Sequence, residues 1–221
     1  MVGTASIPNN GGELRLLQRD REFAIRIAGV QGDLMNSRTH GSEDALGTLA
    51  CEPFRNKSGA KILIGGLGMG FTLATALQSL GADAEVIVAE LVPGVIQWNI
   101  ELVGNCAGNP LADDRVQIKD ADVGVLINQA TKAYDSILLD VDNGPEGLTH
   151  IQNDNLYSLE GLHAAYSALR PSGILAVWSA TPAPKFMSRL RKIGFSVDER
   201  RVRAHQGKGS THTIWLAQRG R

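Results

Sequence analysis

Lys61-Ile-Leu-Ile-Gly-Gly-Leu-Gly-Met-Gly-Phe-Thr72 reads as strand, turn and helix in succession. Lys61–Ile64 is a short apolar run of the kind a buried strand needs, and Phe71–Leu80 carries apolar residues at helical spacing. Between them Gly66, Gly68 and Gly70 form G-x-G-x-G. Strand, glycine turn and helix make the first half of a βαβ unit, where a nucleotide can approach backbone that bears no side chains. The second strand, Glu85-Val-Ile-Val-Ala-Glu90, ends in a carboxylate. A carboxylate at that place can accept hydrogen bonds from both hydroxyls of a ribose.

The glycine spacing separates two kinds of nucleotide site. A dinucleotide fingerprint, G-x-G-x-x-G, would need a third glycine at position 71, which is Phe71. G-x-G-x-G is instead the loop pattern of an S-adenosylmethionine-type nucleoside site, with no pyrophosphate to cradle. A tight turn with a purely structural purpose has the same glycines, and the acid at Glu90 is what favours the nucleoside.

The chain has 221 residues, enough for one domain with a sizeable core. Hydrophobic residues make up 43% and charged residues 20%, a balance that excludes a disordered chain. No apolar run reaches the ~20 residues that span a bilayer, and the first twelve residues lack the features of a secretory signal. Cys51 and Cys106 form neither a metal-ligand spacing nor a disulfide framework. A cytoplasmic protein without a metal or a membrane partner is expected. Residues 185–221 hold ten Lys or Arg against Asp198 and Glu199. No aromatic residues interleave with them as a base-stacking platform requires, so this is read as a solvated surface and no nucleic-acid partner is expected.

Along the chain, residues 1–12 read as a flexible start. Glu13–Gln18 and Glu22–Ile27 read as a small β-hairpin. Ser42 is a candidate N-cap, with Glu43 and Asp44 in the helical turn after it and Pro53 ending that helix. From Lys61 onward strands and helices alternate: strands at Val86–Ala89, Arg115–Lys119, Tyr134–Asp140 and Ser172–Ser179, helices at Pro93–Leu102, Val123–Ala130, Ser158–Leu169 and Pro184–Ile193. Phe195–Val202 and Thr211–Ala217 read as a closing antiparallel pair. Near-continuous apolar strands predict a parallel sheet covered on both faces, with ligands beyond the C-terminal strand ends. The predicted organisation is an N-terminal hairpin and helix element over 1–55 and a nucleoside-binding domain over 56–221. The fold class expected is α/β, Rossmann-like, with a mostly parallel seven-stranded sheet and an antiparallel last strand.

Glu90, Asp120 and Asp140 all stand at strand ends. The order Ile-Leu-Ile-Gly-Gly-Leu-Gly-Met-Gly (62–70), Val-Ile-Val-Ala-Glu (86–90), Val-Gln-Ile-Lys-Asp-Ala (116–121) and Tyr-Asp-Ser-Ile-Leu-Leu-Asp (134–140) resembles the spermidine synthase family of aminopropyltransferases. That family shares the fold of class I S-adenosylmethionine-dependent methyltransferases. The resemblance continues through Leu156-Tyr157-Ser-Leu-Glu and Leu169-Arg-Pro-Ser-Gly-Ile-Leu-Ala, and covers roughly residues 13–195. It implies that Gly66, Gly68 and Gly70 pass close to the donor's sulfur end, that Glu90 holds the ribose and that Asp120 and Ala121 line the adenine. It implies that Asp140 orients and deprotonates an attacking amine, with Asp142 and Tyr157 near the same substrate. The donor so implied is decarboxylated S-adenosylmethionine or S-adenosylmethionine, the acceptor a small-molecule amine, and the assembly a homodimer.

The chain also departs from that family. Its members usually read G-G-G-D-G-G in the first loop, where the Asp helps bind the donor's amine; here that position is Gly68. They usually place a second Asp three residues after the catalytic one; here position 143 is Asn, with Asp142 one step earlier. Glu43 or Asp44 stands where family members carry an acid near the amine. Aminopropyl transfer, methyl transfer to a small molecule and a non-catalytic nucleoside-binding module therefore all stay open. His40, His150, His163, His205 and His212 are read as surface or loop residues, and Trp98, Trp178 and Trp215 as core.

Overall fold

Strand β5 (Lys61–Gly65) is the centre of the molecule, hydrogen-bonded in parallel to β6 (Glu85–Glu90) on one side and to β8 (Tyr134–Leu139) on the other. We describe a computed structural model of the chain over residues 1–8, 11–141, 144–145, 155–205 and 208–221. The main sheet has seven strands. Beyond β6 lies β7 (Val116–Asp120), and beyond β8 lie β9 (Leu169–Ser179), β11 (Lys208–Gln218) and β10 (Ser196–His205). Only β11 runs against β9, and β10 runs against β11. The expected sheet and its antiparallel closing strand are both present.

The central strands are apolar throughout because both faces are covered. Ile62, Ile64, Val86, Val88, Leu138 and Ala176 face one core; Leu63, Ile87, Ile137, Leu139, Leu175 and Val177 face the other. The first core is closed by α1 (Gly41–Cys51) and α2 (Phe71–Gln78), which pack on each other. Helices α4 (Val123–Asn128), α5 (Leu159–Ala168) and α6 (Pro184–Ile193) close the second. Strand β7 is the sheet edge and is mostly exposed, with the polar alternation Gln117, Lys119 and Asp120 that an edge tolerates.

The N-terminal region is larger than the hairpin expected. β2 (Glu13–Arg19) and β3 (Glu22–Ile27) pair as read, but β1 (Gly3–Ser6) and β4 (Met35–Asn36) extend them to four strands. Residues 3–6 are therefore not a flexible start. Gly3 and the following Ala5 lie so close on α3 (Pro93–Trp98) that a Cβ on Gly3 would meet Trp98 Nε1 at 2.6 Å, and one on Gly94 would meet Ala5 Cβ at 2.4 Å. Helix α3 runs on as a π-turn over Asn99–Val103 rather than as one regular helix. Leu14, Leu16 and Ile25 of the small sheet join the same core as β5 and β6.

Ser42 is not the N-cap of α1. The helix begins two residues earlier, at Gly41, with His40 in the cap position and no side-chain cap bond. Ser42 is turned inward and fully buried.

Candidate active site

The first glycine loop is wedged between strand ends. Gly66 N donates to Ala89 O at 2.9 Å, and Asp140 N donates to Gly65 O at 2.9 Å. Gly66 has φ +88°, and a Cβ there would stand 2.4 Å from the carbonyl oxygen of Asp140. Only glycine lets the end of β8 approach so closely. Gly70, with φ +86°, would place a Cβ 2.9 Å from Pro110 Cγ. Both glycines thus answer to neighbouring protein. Gly66 and Gly68 line the cavity at the strand ends; Gly70 is not among its lining residues.

Glu90 ends β6 beneath this loop and is 8% exposed. Its Oε2 accepts from Leu67 N at 2.9 Å and its Oε1 from Val92 N at 2.8 Å. Burial raises its pKa while those amides oppose the rise. The amides of Leu91 and Gly68 also act on this carboxylate, which lines the cavity. Beside it, Ala121 N donates to Glu90 O at 3.1 Å and Ala121 lines the cavity. Asp120 is exposed on the edge strand and does not line the cavity, whereas Asp122 does. Asp122 Oδ1 accepts from Gly124 N at 2.7 Å and caps α4. The sequence signal for Asp122 was its place as an acid immediately before a helix.

Past Gly68 the cavity narrows into a compartment that holds two acids, Asp140 at the end of β8 and Glu43 of α1. Asp140 Oδ2 accepts from Thr72 Oγ1 at 2.7 Å. Burial pushes Asp140 up to about 6, against the Thr72 hydrogen bond. Burial, and then the negative charge of Asp140, push Glu43 up to about 7. Of the two acids offered by the sequence on α1, Glu43 is the one that reaches this compartment; Asp44 turns away and pairs with His40 Nδ1 at 2.8 Å. Thr72 and Trp178 also line it, and neither was singled out for the site from sequence. Trp178 Nε1 is buried with no hydrogen-bond partner among the described residues. Met35 of β4 forms the wall over Gly68, where a Cβ would meet its sulfur at 3.1 Å.

Tyr157 does not line either part. It is buried in the core on the opposite face of the sheet, edge-on to Phe186 with centroids 5.6 Å apart, and its hydroxyl lies 3.5 Å from Val141 O. Asp142 lies outside the described residues.

The whole architecture superposes on solved structures. A spermidine synthase from Thermotoga maritima matches with a TM-score of 0.76 at 16% identity, over 99% of this chain and 72% of that one. The chain has the fold of the spermidine synthases. A spermidine synthase in complex with the transition-state analogue AdoDATO matches with a TM-score of 0.73 at 16% identity, over 99% of this chain and 72% of that one. An S-adenosylmethionine-dependent O-methyltransferase from Thermotoga maritima matches at 0.56 and 16% identity, over 81% of this chain and 65% of that one. The spermidine synthases thus share the N-terminal sheet region as well as the seven-stranded sheet, while the O-methyltransferase match leaves about a fifth of the chain uncovered. No family model matches the sequence, and no curated protein matches it.

Proposed function

We propose that this protein is a spermidine synthase-like transferase that moves an aminopropyl group from decarboxylated S-adenosylmethionine to an amine acceptor. The observation that carries this reading is the pair Asp140 and Glu43, two half-buried acids in the compartment next to Gly68. Such a pair suits a cationic or proton-releasing partner, because two partly desolvated acids are stabilised by a positive group between them. In this reading the adenosyl part of the donor lies along Gly66, Glu90 and Ala121, and its sulfonium stands at Gly68.

The donor's sulfonium is already a good leaving group, so positioning supplies much of the acceleration. A neutral amine attacks the carbon next to sulfur. The N–C bond forms as the C–S electrons return to sulfur, and methylthioadenosine leaves. Asp140, held by Thr72, orients the amine and accepts its proton. The raised Asp140, near 6, suits a group that must take up a proton close to neutral pH and release it again.

One observation favours a second reading, methyl transfer from S-adenosylmethionine itself. Position 68 is a glycine that faces the thioether of Met35, so the loop itself supplies no acid for the aminopropyl ammonium. The test is calorimetric binding of both donors to one preparation, followed by mass analysis of products with a panel of amines. Preference for the decarboxylated donor and a product heavier by one aminopropyl group is the expected result. A methylated product moves the assignment to methyl transfer, and binding of neither donor overturns both.

A further inference from the structure

Ser42 stands between two groups that titrate. Its hydroxyl lies 2.6 Å from Glu43 Oε2 and 2.8 Å from Nδ1 of His212, a residue 170 positions later on β11. The other ring nitrogen, Nε2, lies 2.8 Å from Ser210 Oγ, and Ser210 is exposed. Helix α1 packs against β11, so one hydrogen-bonded line runs from a carboxylate of the acid compartment to solvent. A serine in a first helical turn ordinarily bonds local backbone or water. Ser42 is fully buried and has its hydroxyl on Glu43 and His212 instead.

We propose that Glu43, Ser42 and His212 form a proton path from the acid compartment to the surface, and that the proton lost by the acceptor leaves along it. The source of the proton rests on the transfer reading above; the path itself does not. In transfer, the surplus N–H proton passes to the Asp140 and Glu43 pair. With Glu43 protonated, Glu43 donates to Ser42 Oγ, Ser42 donates to His212 Nδ1, and His212 donates from Nε2 to Ser210. When the protons shift, Ser42 takes the proton of Glu43 and gives its own to Nδ1, while Nε2 releases one outward. The line then runs in the opposite sense, from His212 Nδ1–H through Ser42 to ionised Glu43. One proton has left, and the ring is neutral before and after.

The surroundings suit a neutral ring. Burial lowers the His212 pKa, and Trp178 stands edge-on to it with centroids 4.9 Å apart. Asp140 faces Glu43 across the compartment, Asp44 is held by His40, and Arg203 of the neighbouring strand directs its guanidinium to Gly209 O at 3.1 Å. His212, read from sequence as a surface or loop residue, is thus a half-buried strand residue tied to the site.

Nitrogen-15 NMR of the His212 ring in the unliganded protein tests the path without any substrate. As pH rises through about 7, where Glu43 ionises, the neutral ring switches from Nε2–H to Nδ1–H. Ser42→Ala abolishes that switch. A ring that keeps Nε2–H well above that pH overturns the path. Turnover gives the second readout. Ser42→Ala and His212→Ala each lower it about 100-fold, the lower end of what positioned proton transfer contributes, with donor affinity unchanged. Imidazole in the buffer restores His212→Ala. Unchanged turnover in both folded variants overturns the path. If the wild-type protein transfers nothing, the failure belongs to the transfer reading, and the ring tautomer alone decides the path.

Discussion

The Thr72 hydroxyl donates to Asp140 Oδ2 at 2.7 Å, tying the first turn of α2 to the end of β8. Thr72 is the second residue after Gly70, so the glycine loop at the strand ends also sets the carboxylate beside it. This bond favours ionised Asp140 against the burial that disfavours it.

Thr72→Val keeps the shape of the side chain and removes the donor. The acid limb of the pH–rate profile, set by Asp140 near 6, then moves upward by on the order of one pH unit, since a hydrogen bond to a carboxylate is worth ~1.5 kcal/mol. The pH dependence of kcat/KM for wild type and variant checks this. An unmoved limb removes Asp140 from the proton-accepting role.

Asp140 and Glu43 also set a pH dependence of stability. Their folded pKa values, about 6 and about 7, lie above the ordinary 3.8 and 4.5. A raised folded pKa contributes stability that is full below the ordinary value and is lost as pH rises through the folded value. The protein therefore loses stability from about pH 4 to pH 7. Asp140→Asn removes the half-buried charge and is more stable than wild type above pH 7 by on the order of 2 kcal/mol, with no gain below pH 4. Denaturant unfolding at the two extremes measures it, and the same variant loses transfer.

Glu90→Gln puts an amide where two backbone N–H groups, of Leu67 and Val92, require acceptors. One of them loses its partner, which costs ~1–3 kcal/mol of stability. Donor affinity falls by about tenfold or more, ~1.4 kcal/mol, through the lost ribose acceptor. Thermal unfolding and calorimetry on one sample separate the two effects. A drop in stability with full donor affinity would make Glu90 a brace for the loop alone.

Gly68→Asp places an acid where the proposed reading puts the donor's sulfur end, but its Cβ meets Met35 Sδ at 3.1 Å. The φ of +53° is one that Asp adopts more readily than most residues. The pair Gly68→Asp with Met35→Ala relieves the contact. Its preference for decarboxylated over intact S-adenosylmethionine rises about tenfold, ~1.4 kcal/mol, while Gly68→Asp alone binds both donors more weakly. Competition binding of the two donors decides this, and an unchanged ratio in the double variant places the donor's tail away from position 68.

Much of the frame follows from local pattern. The strand, glycine turn and helix around 61–78, the acid ending β6 and the antiparallel pair at the end all depend on residues within a few positions of each other. Hydrophobic period and turn residues record such relations directly. Most helix ends shifted by a residue or two, α3 stopped at Trp98 rather than Leu102, and the start of α1 shifted by enough to change the role of Ser42. Residues 3–6 carry no strong strand signal; β1 forms because β2 offers a free edge and α3 a surface to lie on.

From Lys61 onward the alternation of strands and helices, the covered parallel sheet and the strand ends where Glu90 and Asp140 stand are legible in residue pattern alone, because apolar runs and glycine turns act locally. Which acids and hydroxyls meet there is set by packing in three dimensions. Whether Glu43 or Asp44 reaches Asp140 depends on the rotation of α1 against β8 and α2. Whether Gly68 meets a thioether depends on where β4 carries Met35, and Asp122 rather than Asp120 lines the cavity. His212 meets Ser42 across 170 residues of chain. Such pairings are set by the packing of whole elements, and no local period encodes them.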